Sequence, residues 1–324
     1  MHNEPMENSD SVFIGVNHIG LTVADIDAST RFYTAAAGLA AAGPELRAPT
    51  PASLDSEGKF LRGLNARLRI MKSTSAPNAT PRPVSEAGIT LVCLLSTQME
   101  SLYRQFQAAG ATFHAPPVDL GTGFLYSYAR DVEANVIELE GTAPVWDDPT
   151  PWIAHVSFTS ADVDRLSTFY ATLLGQTATR SPRIGPYPKL DLVSGLAGTE
   201  FMAAWIPAGN MQIEVIRYLQ PPTLARSHPP SPNEPGYSYI CFEVADVAVA
   251  AARARDAGAT HSPEMALESG LTHHFCADPD GNLLLLMSFD SAHDYFSINA
   301  LPDPHIASRL LALRTATKQK ALQS

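Results

Sequence analysis

The chain is poor in cysteine, in basic residues and in charge overall. Its 324 residues include three cysteines, an odd and low count that provides no disulfide framework and no zinc-finger spacing. Charged residues make up 17%, too few for a long coiled coil or a disordered chain. The 22 lysines and arginines are outnumbered by 33 acidic residues, which gives a net charge of −11. We therefore expect no nucleic-acid partner and no anionic membrane partner.

Long apolar runs and a secretory signal are missing as well. No stretch approaches the roughly 18 apolar residues of a membrane helix. The N-terminus lacks a basic start followed by an apolar run. Together with the few cysteines, these features lead us to expect a cytoplasmic protein. Hydrophobic residues make up 45%, enough for sizeable cores, and the length predicts two domains.

The sequence does contain an internal repeat. The segment NHIGLTVADIDASTRFYTAAAGL, which starts at Asn17, matches AHVSFTSADVDRLSTFYATLLGQ, which starts at Ala154, without a gap. Two further pairs of segments match in the same way: 91–111 with 239–259, and 130–139 with 277–286. The chain is therefore organised as four modules in two related halves.

Each module follows the same local pattern. An alternating apolar strand leads into a helix that Asp25 or Asp27 can cap and that Gly38 can end in the first module. More strands follow, so we predict an α+β fold made of four βαβββ modules. The predicted units are a first domain over 12–141 (modules 12–75 and 87–141), a second domain over 152–290 (modules 152–219 and 236–290), and a helical tail over 304–324 that packs on the surface or on a partner.

These motifs resemble the modules of the vicinal oxygen chelate (VOC) superfamily. The resemblance rests on His-Ile-Gly-Leu-Thr-Val-Ala-Asp at 18–25 with the Phe-Tyr and Gly-Leu that follow, and on Asp-Pro-Asp-Gly-Asn at 278–282 before an apolar strand. The superfamily includes glyoxalase I, methylmalonyl-CoA epimerase, fosfomycin and bleomycin resistance proteins, and extradiol dioxygenases. The resemblance implies two half-open, barrel-like VOC domains. It does not choose an activity, because this scaffold hosts isomerases, transferases, oxygenases and binding proteins.

The resemblance also implies where a metal would bind, on the first and last strands of a module. Four matching positions carry residues that can ligate a metal: His18, Glu138, His155 and Glu214. The remaining positions hold Leu91, Tyr239, Arg69 and Leu285. Imidazole and carboxylate suit Fe(II), Mn(II), Ni(II) or Zn(II), so we expect a divalent metal of open identity. Its expected substrate is a small molecule that chelates through two adjacent oxygens.

One pairing of modules would give two incomplete sites. If modules one and two close together, and modules three and four likewise, His18 shares a cavity with Glu138 and His155 shares the other with Glu214.

The other pairing resembles the arrangement of modules in monomeric glyoxalases. It would bring three of the four potential ligands to one site. If module two pairs with module three, Glu138, His155 and Glu214 converge next to Leu91. His18 is then left beside Arg69, Tyr239 and Leu285. The sequence leaves both pairings open.

The four-module layout favours a dioxygenase-like metalloenzyme. However, the positions of an extradiol triad hold His155, Tyr239 and Leu285, so only one ligand survives. A lyase or isomerase of the glyoxalase or epimerase type is therefore the first alternative, and a metal-free protein that binds a small molecule is the second. For catalysis we expect Tyr239 as a hydrogen-bond or proton donor and His274 as a general base. A homodimer is left open, because the sequence does not determine the oligomeric state.

Overall fold

A computed structural model describes residues 12–41, 57–75, 81–142, 150–226, 231–260, 266–268, 271–290 and 294–310. Module one contains β1 (Phe13–Val23), α1 (Ile26–Ala37), β2 (Ala40–Ala41), β3 (Gly58–Arg62) and β4 (Arg67–Lys72). Module two contains β5 (Gly88–Ser96), α2 (Met99–Ala108), β6 (Thr112–Phe113), β7 (Val118–Asp119), β8 (Leu125–Arg130) and β9 (Val136–Gly141). Module three contains β10 (Trp152–Thr159), α3 (Val163–Leu174), β11 (Thr179–Arg180), α4 (Pro188–Ser194), β12 (Glu200–Pro207) and β13 (Gln212–Gln220). Module four contains β14 (Gly236–Val244), α5 (Val247–Asp256), β15 (Ala266–Glu268), β16 (Leu271–Ala277) and β17 (Leu283–Phe289).

The α+β class and the four-module plan are confirmed, with two local additions. Module two has a fourth strand after its helix, and module three inserts α4 between β11 and β12. A short 3-10 helix at Ile298–Ala300 follows module four.

The repeated helix signals fold as the sequence predicts. The Asp25 side chain accepts a hydrogen bond from the Ala28 backbone N–H at the start of α1, and Gly38 ends the helix with a φ of 65°. Asp162 and Gly175 do the same for α3. The cap is therefore Asp25, whereas Asp27 pairs with Lys59 on the surface.

The two sheets are built across the two halves of the chain. An eight-stranded sheet has the order β15-β16-β17-β14-β1-β4-β3-β2, and a nine-stranded sheet has β11-β12-β13-β10-β5-β9-β8-β6. Strand β1 runs antiparallel to β14, and β10 runs antiparallel to β5. Module one thus pairs with module four, and module two with module three. The predicted domains 12–141 and 152–290 correspond to the two halves of the sequence repeat. Each sheet, however, combines one module from the first half with one module from the second half.

Two buried tyrosines tie together the modules that the sheets separate. The Tyr33 hydroxyl on α1 donates a hydrogen bond to Asp131 of module two at 2.9 Å. The Tyr170 hydroxyl on α3 donates to Asp278 of module four, also at 2.9 Å. Each aspartate also accepts backbone N–H groups of its own turn, so the repeated Phe-Tyr and Asp motifs have a structural role.

Two buried asparagines, Asn65 and Asn210, join the eight-stranded sheet to the nine-stranded sheet. Asn210 accepts from the Val16 backbone N–H and donates to the carbonyls of Val16 and Asn65. Asn65 in turn exchanges two hydrogen bonds with the backbone of Ile153. These contacts satisfy backbone groups that would otherwise be buried without partners.

The predicted C-terminal tail is described over its first part. Residues 306–310 are helical, and Ile306 and Leu310 are buried against Cys93, Leu95 and Trp152 of the nine-stranded sheet. The predicted residues 311–324 lie outside the described part of the chain. Within the described ranges, no helix combines the length and apolarity needed to cross a bilayer.

Candidate metal centre

Three of the four predicted metal ligands meet on the nine-stranded sheet. His155 on β10 places its Nε2 atom 3.0 Å from Glu138 Oε2 on β9 and 3.3 Å from Glu214 Oε2 on β13. All three residues are buried, with exposed fractions of 7%, 7% and 6%. One potential ligand atom from each lies within 4.8 Å of the others.

Strand register explains why these distant residues converge. Glu138 lies beside Cys93 on the parallel neighbour β5, and Cys93 lies opposite His155 on β10. On the other side of β10, Glu214 lies beside Ser157, two residues beyond His155 and on the same face. Four adjacent strands therefore present these side chains to one side of the sheet.

Hydrogen bonds position Glu214 and stabilise its charge. The Ser157 hydroxyl and the Trp205 indole both donate to its carboxylate. Burial alone would raise the pKa of Glu214, but the charge and hydrogen bond of His155, together with these two donors, hold it below its ordinary value.

The pKa values of His155 and Glu138 are both raised, in contrast to that of Glu214. Burial raises the pKa of Glu138, because the hydrogen bond and charge of His155 only partly offset the cost of desolvating the carboxylate. Burial opposes protonation of His155, but Cys93, Glu214 and Glu138 outweigh it and raise the pKa of the imidazole well above its ordinary value. Without a metal, a proton on His155 is therefore stabilised between two carboxylates.

The donor set fits a divalent transition metal. One imidazole nitrogen and two carboxylate oxygens suit Mn(II), Fe(II), Ni(II) or Zn(II). Two carboxylates can neutralise a doubly charged ion, which a buried site requires. The remaining family position holds Leu91, which is 1% exposed and packs among apolar side chains, so this chain supplies three side-chain ligands there.

His18 lies apart from this cluster, on β1 of the eight-stranded sheet. Its Nε2 atom is 2.8 Å from the Tyr239 hydroxyl, and Arg69 also donates to that hydroxyl. Burial and the nearby Arg69 and Arg67 lower the pKa of His18 well below its ordinary value. The surroundings are therefore cationic and aromatic, and among the described residues no carboxylate groups with His18 as a set of potential metal ligands.

The two predicted catalytic residues also lie on the eight-stranded sheet. Tyr239 on β14 is fully buried and is bound to His18. His274 on β16 is buried opposite Leu286, whereas its neighbour His273 shares the strand face of Phe275. The structure does not bring either residue to the Glu138–His155–Glu214 cluster, and their catalytic role stays a prediction.

Several polar residues around the cluster were not predicted from the sequence. Cys93 and Glu140 form a second group of potential ligand atoms with His155, and the Cys93 thiol donates to Glu140 at 3.7 Å. Strand alternation could have found Glu140, which lies two residues after Glu138 on the same strand. Nothing in the local pattern around Trp205 indicates that it reaches Glu214.

A cavity of about 410 Å³ opens over the cluster. Glu138, His155 and Glu214 lie in its wall together with Glu140. Its apolar wall includes Leu95, Phe124, Trp152, Trp205, Met211 and Leu310. The C-terminal segment thus forms part of the same cavity as the candidate ligands.

Solved structures resemble this chain over most of its length. Glyoxalase I from Zea mays aligns with a TM-score of 0.61 at 16% identity, covering 85% of this chain and 92% of that chain. A putative dioxygenase from Bacillus subtilis subsp. subtilis str. 168 aligns with a TM-score of 0.57 at 11% identity, covering 93% of this chain and 96% of that chain. At these identities the likeness shows the fold alone. No curated protein matches the sequence.

A family model matches both halves of the chain. The matched residues are 15–139 and 152–286, which together make up most of the sequence and follow its repeat. The four modules and the cluster on the paired sheet agree with that assignment. The chain therefore belongs to the Glyoxalase/Bleomycin resistance protein/Dioxygenase superfamily.

Proposed function

We propose that this protein is a metal-dependent enzyme with one metal centre per chain, held by Glu138, His155 and Glu214. Its substrate is a small molecule that binds through two adjacent oxygens. The observation that carries the proposal is the convergence of these three buried side chains from β9, β10 and β13 in the wall of a cavity. A metal bound there would act as a Lewis acid toward the substrate oxygens.

The protein's own residues would orient the ligands and handle a proton. Ser157 and Trp205 fix one carboxylate and favour its charged form. Glu138 accepts a hydrogen bond from His155 and does not share the two donors that fix Glu214, so it is the carboxylate better suited to take a proton from the substrate and return it. The apolar part of the cavity wall would limit the water around that transfer.

The ligand set favours proton transfer over oxidative cleavage. Non-haem iron oxygenases commonly use two histidines and one carboxylate, whereas this cluster has one histidine and two carboxylates. We therefore propose a reaction of the lyase or isomerase type, such as proton abstraction next to a carbonyl followed by reprotonation. The dioxygenase-like activity expected from the module count stays a prediction without a supporting contact in the site.

Metal analysis of two matched variants tests the proposal. Wild-type protein purified without chelator or His-tag should contain, or take up, about one divalent ion per chain. His155→Ala should abolish uptake of Mn(II) and Ni(II) in calorimetric titration. His18→Ala removes the repeat-related histidine and should leave the stoichiometry unchanged, even though it costs stability by removing the partner of Tyr239.

Two results would contradict the proposed metal centre. Wild-type protein that takes up no Mn, Fe, Co, Ni or Zn would refute the metal centre and favour the metal-free binding protein. If His18→Ala loses the metal and His155→Ala retains it, the metal binds on the eight-stranded sheet and not on the nine-stranded sheet. Circular dichroism of both variants separates loss of the site from loss of the fold.

A further inference from the structure

A cysteine on β5 lies next to two residues that can ligate a metal. Cys93 is opposite His155 on β10, and its thiol donates a hydrogen bond to Glu140 Oε2 on β9. The sulfur also hydrogen-bonds with His155. One potential ligand atom from each of these three residues lies within 4.8 Å of the others. Three adjacent strands therefore bring a sulfur, an oxygen and a nitrogen ligand to one place.

The separation of the sulfur and the oxygen fits a shared metal ion. In a tetrahedral zinc site, a Zn–S bond of about 2.3 Å and a Zn–O bond of about 2.1 Å place the two ligand atoms about 3.6 Å apart. The observed distance from Cys93 Sγ to Glu140 Oε2 is 3.7 Å. A metal could thus replace the thiol proton between these atoms with little movement of either side chain.

This group differs from the first cluster in the kind of ion that it suits. A thiolate is a soft ligand and favours ions such as Zn(II), whereas carboxylate oxygens also suit the harder Mn(II). When the Cys93 thiol gives up its proton, the thiolate and the Glu140 carboxylate carry two negative charges. These balance a doubly charged ion, and His155 can bind as the neutral imidazole.

The cavity gives an ion access to this group. Glu140 and His155 both line the cavity of about 410 Å³. The side chain of Cys93 lies behind them, is 0% exposed and packs with Ile306 and Leu310 of the C-terminal segment. An ion therefore enters from the side of Glu140 and His155, where water can complete its coordination.

We propose that Cys93, Glu140 and His155 form a second metal site, selective for divalent ions with an affinity for thiolate, such as Zn(II) and Co(II). The site goes beyond the proposed function, because it requires no reaction at the centre formed by Glu138, His155 and Glu214. The two groups share His155, so an ion in one group changes the ligands available to the other. Mn(II) binds to the group with two carboxylates, and thiophilic ions bind to the group with the thiolate.

The sequence repeat supplies a matched control cysteine. Cys241 on β14 lies opposite His18, in the same register as Cys93 opposite His155. The position that corresponds to Glu140 is Met287 on β17, two residues after the parallel neighbour of Cys241. Among the described residues, Cys241 belongs to no group of potential metal ligands. Both cysteines are fully buried, so their substitution by serine perturbs the two sheets in comparable ways.

Cobalt absorption tests the thiolate site directly. A thiolate bound to Co(II) has a charge-transfer band in the near ultraviolet, which oxygen and nitrogen ligands do not produce. Titration of the reduced full chain with Co(II) under argon should produce this band. Cys93→Ser should abolish it and Cys241→Ser should retain it. Glu140→Gln, which keeps the shape of the side chain, should weaken the Co(II) binding that produces the band by at least about tenfold.

Two variants distinguish failure of this site from failure of the first metal centre. Glu214→Gln should weaken Mn(II) binding and leave the cobalt band in place, whereas Cys93→Ser should change the Mn(II) affinity by about threefold or less. If the wild-type protein shows no band, or if the band survives in Cys93→Ser, the thiolate site is refuted and the first centre stands. If Glu214→Gln also loses the band, the thiolate belongs to the first centre and the second site is refuted. If the band appears but no Mn(II) binds, the thiolate site stands and the Mn(II) centre fails.

X-ray absorption on the wild-type protein gives a test that does not depend on how the variants fold. With one equivalent of Zn(II), the spectrum should show one sulfur neighbour at about 2.3 Å from the metal. A zinc ion surrounded only by nitrogen and oxygen would overturn the proposal.

Discussion

Metal binding should depend steeply on pH near neutrality, because the metal has to displace a proton that His155 holds between two carboxylates. His155 lies 3.0 Å from Glu138 and 3.3 Å from Glu214, and its pKa is raised well above the ordinary value. A histidine ligand must be neutral, so the metal has to displace that proton. Below the raised pKa, each unit of pH should weaken the apparent affinity about tenfold, or about 1.4 kcal/mol.

The assay is calorimetric titration of Mn(II) in two buffers that differ in ionisation enthalpy. At pH 7 the difference in observed heat should correspond to about one proton released per metal. Since the pKa of Glu138 is also raised, the dependence should steepen further at lower pH, when that carboxylate begins to hold a proton as well.

His18→Ala is the matched control for the pH dependence. The pKa of His18 is lowered by burial and by Arg69 and Arg67, so this histidine is neutral over the same range. Its removal should leave the slope unchanged. An affinity that is constant from pH 6 to 8, with no proton released, would refute the view that His155 is protonated in the metal-free site.

Three further substitutions test other parts of the structure. Tyr170→Phe removes a buried hydrogen bond to Asp278 and should lower the free energy of unfolding by about 1–2 kcal/mol in urea denaturation, and an unchanged midpoint would contradict the role of that bond. Gly20→Ala would place a Cβ atom 2.2 Å from the ring of the fully buried Tyr239, so thermal unfolding should reveal a loss of about 1–3 kcal/mol while metal stoichiometry stays constant. Leu91→His adds an imidazole at the family's fourth ligand position and should tighten Mn(II) binding by about tenfold or more, whereas unchanged affinity would mean that position 91 does not face the metal.

The module plan could be predicted because its signals are local and repeated. Asp25 and Gly38 mark the ends of α1 within one short segment, and Asp162 and Gly175 mark α3 in the same way. The pairing of modules could not be predicted, since every module begins with an apolar strand that can pair with any other. The observed pairing is accompanied by long-range contacts such as those between Asn210 and Val16, and no periodic pattern in the sequence predicts such contacts.

The candidate site was predictable where the family resemblance supplied positions. Glu138, His155 and Glu214 matched those positions in the sequence, and the exchanged pairing brings them together. Glu140 was accessible to strand alternation. Trp152 was not, because its place in the cavity depends on how β10 aligns with β5, and the part played by the C-terminal segment depends on how residues after module four return to the sheet.

The exchanged pairing also has a consequence for synthesis on the ribosome. His18 and Tyr239, which meet across β1 and β14, are 221 residues apart in sequence. When the first half has emerged, β1 and β5 can pair with β4 and β9, but the edge that each offers to β14 or β10 is still open. Open edges invite pairing with other chains, and contacts this distant in sequence form slowly. The nascent first half is therefore the species most prone to aggregation, and translation of the second half protects it.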